Sequence, residues 1–247
     1  MKRSILKIVS LLLFFICQAH ASSTMTVKDY EEINAVLNQY LKGGDNGSYL
    51  LKPIFHKNAI VNGEPAQALF DAIDKAGIEK NSKARVDILG VVGNIAIARV
   101  VLENWHGMNF IDFHNLIKTE DGWKIISKIY YQYDCLPNTS IKEYDEILTV
   151  LTKYVEGGNN GSHLLKPLFH KNALMNDKPI QNLYDAIDQA GVEKNAKAKI
   201  DILGVSGNIA VARVVLENWH GKNFVDFHQL MKTEDGWKIV SKIYSQY

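Results

Sequence analysis

The sequence has few cysteines, few prolines and no excess of charge of one sign, and these shortages exclude several classes of protein. Two cysteines among 247 residues are too few for a disulfide framework. Lysine and arginine number 28 against 27 aspartate and glutamate residues, so the formal net charge of +1 indicates no basic surface for nucleic acid. With 47% hydrophobic and 22% charged residues, the composition is that of a globular protein, not a disordered or fibrous one.

Motifs of metal, nucleotide and hydrolase sites are also missing. No two histidines stand at the spacing His-x-His or His-x-x-x-His, so we expect no metal site. The glycine-rich residues 43–48 contain no lysine, which a phosphate-binding loop requires, and no Gly-x-Ser-x-Gly motif occurs. We therefore expect no metal, no other cofactor and no nucleic-acid partner.

The first 21 residues have the pattern of a secretory signal peptide. Lys2 and Arg3 precede a mostly apolar stretch, residues 5–17, and Ala19 and Ala21 place small residues where signal peptidase reads them. We expect cleavage after Ala21 and export to the periplasm or out of the cell. The apolar stretch is short for a membrane span, so we expect no membrane attachment after cleavage.

The dominant feature of the remaining chain is an internal repeat. Residues 27–133 align with residues 141–247 at a constant offset of 114 without a gap, and about 75 of the 107 aligned positions are identical. A repeat of this length can form a domain with its own core. We predict a first domain over residues 22–133, a linker over residues 134–140 and a second domain over residues 141–247.

Each copy is predicted to begin with helices and to continue with strands. Apolar residues from Tyr30 to Leu41 recur at helical spacing, and a short helix over residues 50–55 and a third over residues 66–76 follow. The pattern then changes to β-branched and aromatic runs separated by hairpin dipeptides. These strand predictions cover residues 86–91, 95–105, 110–119 and 123–132.

The second of these strands has apolar residues on both faces. Ile95 and Ile97 point to one side, and Ala96 and Ala98 point to the other. A strand that is buried on both faces needs two covering layers. We expect the helices to cover one face and the sheet of the other copy to cover the second, as a pseudo-dimer within one monomeric chain.

Several motifs resemble the nuclear transport factor 2-like (NTF2-like) superfamily and, within it, the SnoaL-like families and the family named Putative lumazine-binding. The motifs are Tyr-x-x-Gly-Gly at residues 40–44, Phe-His-x-x-Ala at 55–59, Gly-Asn-Ile-Ala at 93–96, and residues 110–118 and 121–128, and they recur in the second copy over residues 154–242. The resemblance implies an α+β cone in each copy, with three helices on a curved antiparallel sheet. It also implies that the protein is either a small-molecule binder or an isomerase, dehydratase or polyketide cyclase. The resemblance further fits a dimer-like arrangement in which two sheets pack against each other.

Asp112 and His114, repeated as Asp226 and His228, are the candidate catalytic residues. They lie two positions apart on a strand, so both side chains project to one face. A carboxylate beside an imidazole can raise its basicity and prepare a general base. The alternative is a structural polar pair at the surface between the copies or at the rim of the cone.

The register of the neighbouring strands decides what surrounds this pair. A two-residue turn at His106-Gly107 places Arg99 and Glu103 on the Asp112 face, whereas a three-residue turn places Ala96, Ala98 and Val100 there. The sequence leaves this choice open. A two-residue turn at Asp121-Gly122 predicts that Ser127 and Ile129 share the Asp112 face, with Lys128 and Tyr130 on the other.

Aromatic residues are the candidates for contact with a ligand. They could line a pocket for a planar molecule, or they could simply fill the core. The set comprises Tyr40, Trp105, Phe110 and Tyr130 in the first copy and Tyr154, Trp219, Phe224 and Tyr244 in the second.

Three functions remain open at this point. The first is an exported protein that binds a small apolar or aromatic ligand in one or both cones. The second is an enzyme of the isomerase, dehydratase or cyclase kind with His114 and His228 as general bases. The third is an interaction module in which another protein covers the sheets.

Overall fold

The computed structural model describes residues 26–135 and 139–247. The expected signal peptide and residues 136–138 of the expected linker lie outside the described residues. Within them, each copy folds into helices packed on a six-stranded sheet, so the α+β prediction of two similar domains is confirmed. Over the same residues, no helix combines the length and the apolar character that crossing a bilayer would demand.

The two copies have the same elements in the same order. The first comprises α1 (Val27–Asn46), two 3-10 turns (Ser48–Leu50 and Lys52–Ile54), β1 (Phe55–Val61), β2 (Glu64–Pro65), α2 (Gln67–Ala76), β3 (Lys83–Val92), β4 (Ile95–Trp105), β5 (Met108–Thr119) and β6 (Gly122–Tyr133). The second comprises α3 (Ile141–Asn160), two 3-10 turns (Ser162–Leu164 and Lys166–Leu168), β7 (Phe169–Met175), β8 (Lys178–Pro179), α4 (Gln181–Ala190), β9 (Lys197–Ser206), β10 (Ile209–Trp219), β11 (Lys222–Thr233) and β12 (Gly236–Gln246).

The predicted short helix at residues 50–55 is wrong, because two 3-10 turns occupy this segment. Pro53 stands within the first two positions of the second turn, where its missing N–H leaves no helical hydrogen bond unmade. The first long helix also continues past Gly43 and Gly44 and ends before Gly47, whose φ of 130° stops it. These turns pack against α1.

Both sheets have the order expected for a long meander with a short parallel addition. In the first copy the strand order is β2-β1-β6-β5-β4-β3, and β1 runs parallel to β6 while the other pairs are antiparallel. Apolar side chains on the inner face pack against the two helices and form the apolar core of the copy. The second copy repeats the order as β8-β7-β12-β11-β10-β9.

A bulge in β4 settles the register that the sequence left open. Trp105 pairs with Met108 across a two-residue turn, but the pairing shifts between Leu102 and Trp105, so that Ala98 faces His114 and Val100 faces Asp112. An extra residue in one strand moves every following side chain to the opposite face. The small side chains therefore border the Asp112 face, although the turn has two residues.

A second bulge, in β6, overturns the predicted placement of Lys128 and Tyr130. The register shifts between Asn115 and Leu116 of β5, so that Ser127 pairs with Asn115, Lys128 with His114 and Tyr130 with Asp112. Lys128 and Tyr130 thus share the inner face with Asp112, and Ser127 lies on the outer face.

The outer faces of the two sheets pack against each other. One buried apolar cluster joins Ile97 and Phe113 of the first copy to Val211 and Phe227 of the second. A Cβ atom on Gly90 would lie 2.8 Å from Cζ of Phe227, so the absence of a side chain there lets the ring approach the opposing backbone. The predicted pseudo-dimer within one chain is confirmed.

Polar side chains join the same interface. Asn115 donates a hydrogen bond to Oγ of Ser241 at 3.2 Å, and Ser127 donates one to Oε1 of Gln229 at 2.6 Å. Gln229 also donates to the carbonyl oxygen of Phe113 at 2.9 Å. Because each copy covers the other, this part of the sheet surface is not exposed to an external protein.

Candidate functional site

A cavity of about 250 Å³ lies between α1, α2 and the inner face of the first sheet. Apolar side chains from all three elements form most of its wall. They include Leu41 of α1, Leu69 and Ile73 of α2, and Leu102 of β4. A cavity of this size and lining suits a small apolar molecule.

All four aromatic residues proposed for the first copy line this cavity. Trp105 and Phe110 meet edge to face with ring centroids 5.9 Å apart, and Phe110 meets Tyr130 in the same way at 5.9 Å. The indole N–H of Trp105 donates to the carbonyl oxygen of Gly44 at 3.1 Å, which fixes the ring against α1. The cavity wall is therefore aromatic and held in place.

Three polar groups meet at the floor of the cavity. Tyr40 donates a hydrogen bond from its hydroxyl to Oδ2 of Asp112 at 2.6 Å. The amine nitrogen of Lys128 lies 3.3 Å from the same oxygen and 4.1 Å from the ring centroid of Tyr130. All three side chains also line the cavity, so they present polar atoms to whatever occupies it.

Burial disfavours the charged forms of these groups. It raises the pKa of Asp112, while the neighbouring Lys128 and the hydroxyl of Tyr40 oppose that rise. Burial lowers the pKa of Lys128, and the nearby Asp112 carboxyl group partly offsets this. The pKa of Tyr40 stands well above its ordinary value, because of burial and because Asp112 is close. The phenol thus stays protonated as a hydrogen-bond donor.

The structure places His114 behind this site. Its ring packs edge to face on Tyr40 with centroids 4.5 Å apart, it is fully buried, and it does not line the cavity. Both ring nitrogens lack a hydrogen-bond partner, so Asp112 does not orient the imidazole. Burial and the nearby Lys128 amine hold the pKa of His114 well below its usual range, so the ring is neutral. His228 occupies the same position behind Tyr154.

Sequence reasoning found the aromatic wall and Asp112 but missed Lys128. The position of Lys128 depends on the second bulge, which no single residue type marks but which a break in the alternation of apolar residues can indicate. Ile125 and Ile126 are adjacent apolar residues that both become buried, one in the cone and one in the interface between the sheets. Such a break in strict alternation is the mark that a bulge leaves in a sequence.

The second copy contains an equivalent cavity, also of about 250 Å³. Tyr154 donates to Oδ2 of Asp226 at 2.8 Å, and the amine of Lys242 lies 3.2 Å from Oδ1 of that carboxyl group. The aromatic wall again consists of the expected residues Tyr154, Trp219, Phe224 and Tyr244. The polar floor and the aromatic wall are therefore duplicated.

The mouths of the two cavities differ. The first is lined by Asp45 and Met108, and the equivalent positions of the second hold Asn159 and Lys222. The first mouth thus carries an acidic group and the second a basic one. Over residues 26–135 and 139–247, no group of three or more histidine, cysteine, aspartate or glutamate side chains is arranged to hold a metal ion.

A six-stranded sheet wrapped around a ligand-sized cavity and closed by helices defines a cone domain of the NTF2-like class, here present twice. The family model described as "Putative lumazine-binding" matches residues 28–131 and again residues 142–245. The chain belongs to this family, as a tandem duplicate. Membership of this fold family suggests ligand binding or a SnoaL-like function.

Individual relatives match one copy at a time. Aldolase FrzH of a Cladobotryum species is 29% identical in an alignment 115 residues long, which covers 42% of this chain and 92% of the relative. An NTF2-like protein of unknown function from Shewanella baltica is 34% identical, with a TM-score of 0.43, over 45% of this chain and 99% of its own. A similar protein from Methylobacillus flagellatus is 29% identical, with a TM-score of 0.42, over 45% of this chain and 98% of its own.

Proposed function

We propose that each copy binds one small planar molecule, apolar or aromatic with a single polar group, in its cavity. The supporting observation is that the same cavity occurs twice with the same aromatic wall and the same buried polar floor. A mostly apolar cavity with a few converging polar groups is the common design of a small-molecule site. Under this proposal, each chain binds two ligand molecules.

The floor defines the polar group of the ligand. The hydroxyl of Tyr40 is already donated to Asp112, whereas the amine of Lys128 has more than one hydrogen to donate. Oδ1 of Asp112 is buried and accepts no hydrogen bond from the protein. A carbonyl or hydroxyl oxygen placed against Lys128 would satisfy the amine, and a ligand hydroxyl could also donate to Oδ1.

Ligand binding can be tested with a panel of aromatic ketones, phenols and flat heterocycles, by thermal shift and native mass spectrometry. We expect a mass increase of two ligands per chain. Trp105→Ala should remove one of the two, and Trp219→Ala the other, because each indole lines only one cavity. Tyr49→Ala, at an exposed tyrosine outside the cavity, is the control. A panel in which nothing binds would refute the proposal.

A second candidate is an enzyme that acts next to a carbonyl group. The observation in its favour is the meeting of a carboxyl, an amine and a phenol at the cavity floor, which are suitable groups for moving a proton. One relative is named an aldolase. In an isomerase, dehydratase or cyclase of this kind, Asp112 would be better placed as the base than His114, which lies behind Tyr40.

We also propose that the chain is exported after removal of residues 1–21 and acts as a monomer. The signal-peptide pattern of the sequence supports export, and the mutual cover of the two sheets supports a monomer. Cell fractionation followed by N-terminal sequencing and light scattering would test both. Full-length protein retained in the cytoplasm would contradict the first, and a mass of two chains would contradict the second.

A further inference from the structure

We infer that Lys128 and Lys242 are amine nucleophiles that hold an aldehyde or ketone ligand covalently, as an imine, at the floor of each cavity. This inference rests on the proposed function, because it names the ligand class and the way in which the same cavities hold it. Neither lysine was expected to face a cavity, and the bulges of β6 and β12 bring both of them there.

The geometry of Lys128 is that of a buried amine with one open side. Its side chain is 5% exposed, it lines the cavity, and its nitrogen stands over the ring of Tyr130. Among the residues that the structure describes, Asp112 is the one carboxyl group within ion-pair distance, at 3.3 Å. A ligand carbonyl in the cavity would therefore reach the nitrogen without displacing a protein group.

Lys242 repeats this arrangement. Its side chain is 6% exposed, its nitrogen is 3.2 Å from Asp226, and it lies 4.3 Å from the ring centroid of Tyr244. Keeping a lysine in an apolar site costs free energy, because its charge loses contact with water. Burial therefore favours the neutral form of the amine, which is the nucleophilic one, and both cavities contain such a buried amine.

The protonation state of the Lys128 amine also fits a role as a nucleophile. Only a neutral amine attacks a carbonyl group, and burial lowers the pKa of Lys128 while it raises that of Asp112. Both shifts favour transfer of the proton from the amine to the carboxyl group. The fraction of the pair that is present as neutral amine and carboxylic acid is thereby increased, and this fraction is the form that reacts.

The reaction balances with these two groups alone. The nitrogen of Lys128 attacks the carbonyl carbon, and the carbonyl oxygen takes the proton of Asp112. The carboxylate then removes one proton from the nitrogen, which gives a neutral carbinolamine. Asp112 next protonates the carbinolamine hydroxyl, water leaves, and the nitrogen lone pair forms the C=N bond. The products are a protonated imine, the Asp112 carboxylate and one water molecule.

Lys118 on the neighbouring strand is the matched control within the chain. It lies 2.7 Å from Asp29, its side chain is 41% exposed, and this carboxylate raises its pKa. It does not line the cavity. Because a lowered pKa increases the neutral fraction of an amine and a raised pKa decreases it, Lys128 should react faster than Lys118 at neutral pH.

The test uses the full mature chain with benzaldehyde and sodium cyanoborohydride, which reduces an imine to a stable benzylamine. We expect intact mass spectrometry to show two benzyl groups per chain, and peptide mapping to place them on Lys128 and Lys242. Lys128→Met and Lys242→Met should each remove one label, and Lys118→Met should remove none. Peptide mapping of the unaltered chain gives the answer even if a substituted chain does not fold.

Failure of the covalent inference can be distinguished from failure of the proposed function. If benzaldehyde binds reversibly in titrations without reductant but no label forms on Lys128 or Lys242, the proposed function stands and the covalent inference is overturned. Labels that appear only on exposed lysines overturn it as well. If benzaldehyde and the whole ligand panel fail to bind, the proposed function itself fails.

Discussion

The phenol of Tyr40 and the carboxyl group of Asp112 are both buried, and each is a hydrogen-bond partner of the other. Loss of the phenol oxygen leaves Oδ2 of this buried carboxyl group with only the Lys128 amine, at 3.3 Å, as a donor, and a buried acceptor that loses a hydrogen bond destabilises the fold. The Tyr40 hydroxyl therefore helps to hold the Asp112 carboxyl group at the cavity floor, together with Lys128.

We expect Tyr40→Phe to lower the free energy of unfolding by about 1–3 kcal/mol, because the substitution removes the donor and keeps the ring. Tyr154→Phe should do the same in the second copy. Urea denaturation measures both effects. Tyr49→Phe, at an exposed tyrosine, should change nothing. Equal stability of all three variants would show that the hydroxyl contributes nothing to the fold.

The two buried histidines should make stability depend on pH. Burial keeps the pKa of His114 and His228 well below the usual value, so the folded protein does not take up a proton where the unfolded chain does. Stability should therefore fall as the pH drops below about 6.5, by about 1.4 kcal/mol per pH unit for each histidine.

Urea denaturation at neutral and mildly acidic pH measures this dependence. The chain with His114→Phe and His228→Phe should lose less stability on acidification than the unaltered chain. The comparison between the two chains is needed because the raised pKa of Asp112 acts in the opposite sense. Parallel losses in both chains would show that other groups are responsible.

Residue types alone revealed part of the site. The aromatic wall and Asp112 could be predicted, because few environments in such a fold accommodate aromatic and acidic side chains of amphipathic strands. The role of His114 could not, since an imidazole enclosed behind Tyr40 looks the same in sequence as one that faces a ligand. Lys128 was missed because the face of β6 on which its side chain lies depends on the extra residue earlier in that strand.

At the scale of elements, α1, α2 and the strand meander follow from periodicity, whereas the 3-10 turns at residues 48–54 and the bulges do not. Strand ends were predicted within a few residues, because Gly93, Gly107 and Gly122 mark the hairpins with positive φ values. A bulge needs only one extra residue and has no fixed composition. The two bulges nevertheless decide which side chains enter the cavity.

Two adjacent glycines near the end of α3 offer a test of packing at this scale. A Cβ atom on Gly157 would lie 2.5 Å from Cδ2 of Leu165, whereas one on Gly158 would meet nothing within 4 Å. We expect Gly157→Ala to destabilise the protein by about 1–3 kcal/mol, because the helix must move away from the following 3-10 turn.

Gly158→Ala should instead stabilise the helix by about 0.5–1 kcal/mol, because alanine loses less conformational freedom than glycine. Thermal and urea unfolding of the two variants measure the difference. Effects of the same sign at both positions would contradict the close contact between α3 and Leu165.

At the scale of the whole molecule, the interface between the copies is not symmetric. Gln229 donates to the carbonyl oxygens of Phe113 and Ser127 and accepts from the Ser127 hydroxyl. The equivalent Asn115 donates one hydrogen bond, to Ser241, and its side-chain oxygen has no partner. The repeat predicted the pairing of the sheets but not this difference between Asn115 and Gln229.

We expect Gln229→Ala to cost about 2 kcal/mol more than Asn115→Ala in the free energy of unfolding, because it removes more buried hydrogen bonds. Urea denaturation of the two variants provides the comparison. Equal costs would mean that the extra hydrogen bonds of Gln229 do not hold the sheets together.

The mouths of the cavities should give them different preferences for charged ligands. Benzoate should bind the second cavity more tightly than the first, by about 0.5–1 kcal/mol, because Lys222 stands where the first cavity has Met108. Indole N–H signals of Trp105 and Trp219 in NMR spectra report on each cavity separately.

Exchange of the two mouth residues should reverse this preference. Lys222→Met should weaken benzoate binding in the second cavity, and Met108→Lys should strengthen it in the first. Added salt should reduce both effects, because exposed charges are screened. An unchanged order of affinities would exclude the mouth as the source of selectivity.

The buried layer between the two sheets is made within one polypeptide, so its formation is unimolecular. Assemblies of separate subunits fall apart on dilution, because their stability depends on protomer concentration. Here the partner sheet is tethered and remains at the same effective concentration in any volume. Each molecule thus keeps both cavities, in a fixed ratio of one to one, however few copies are present.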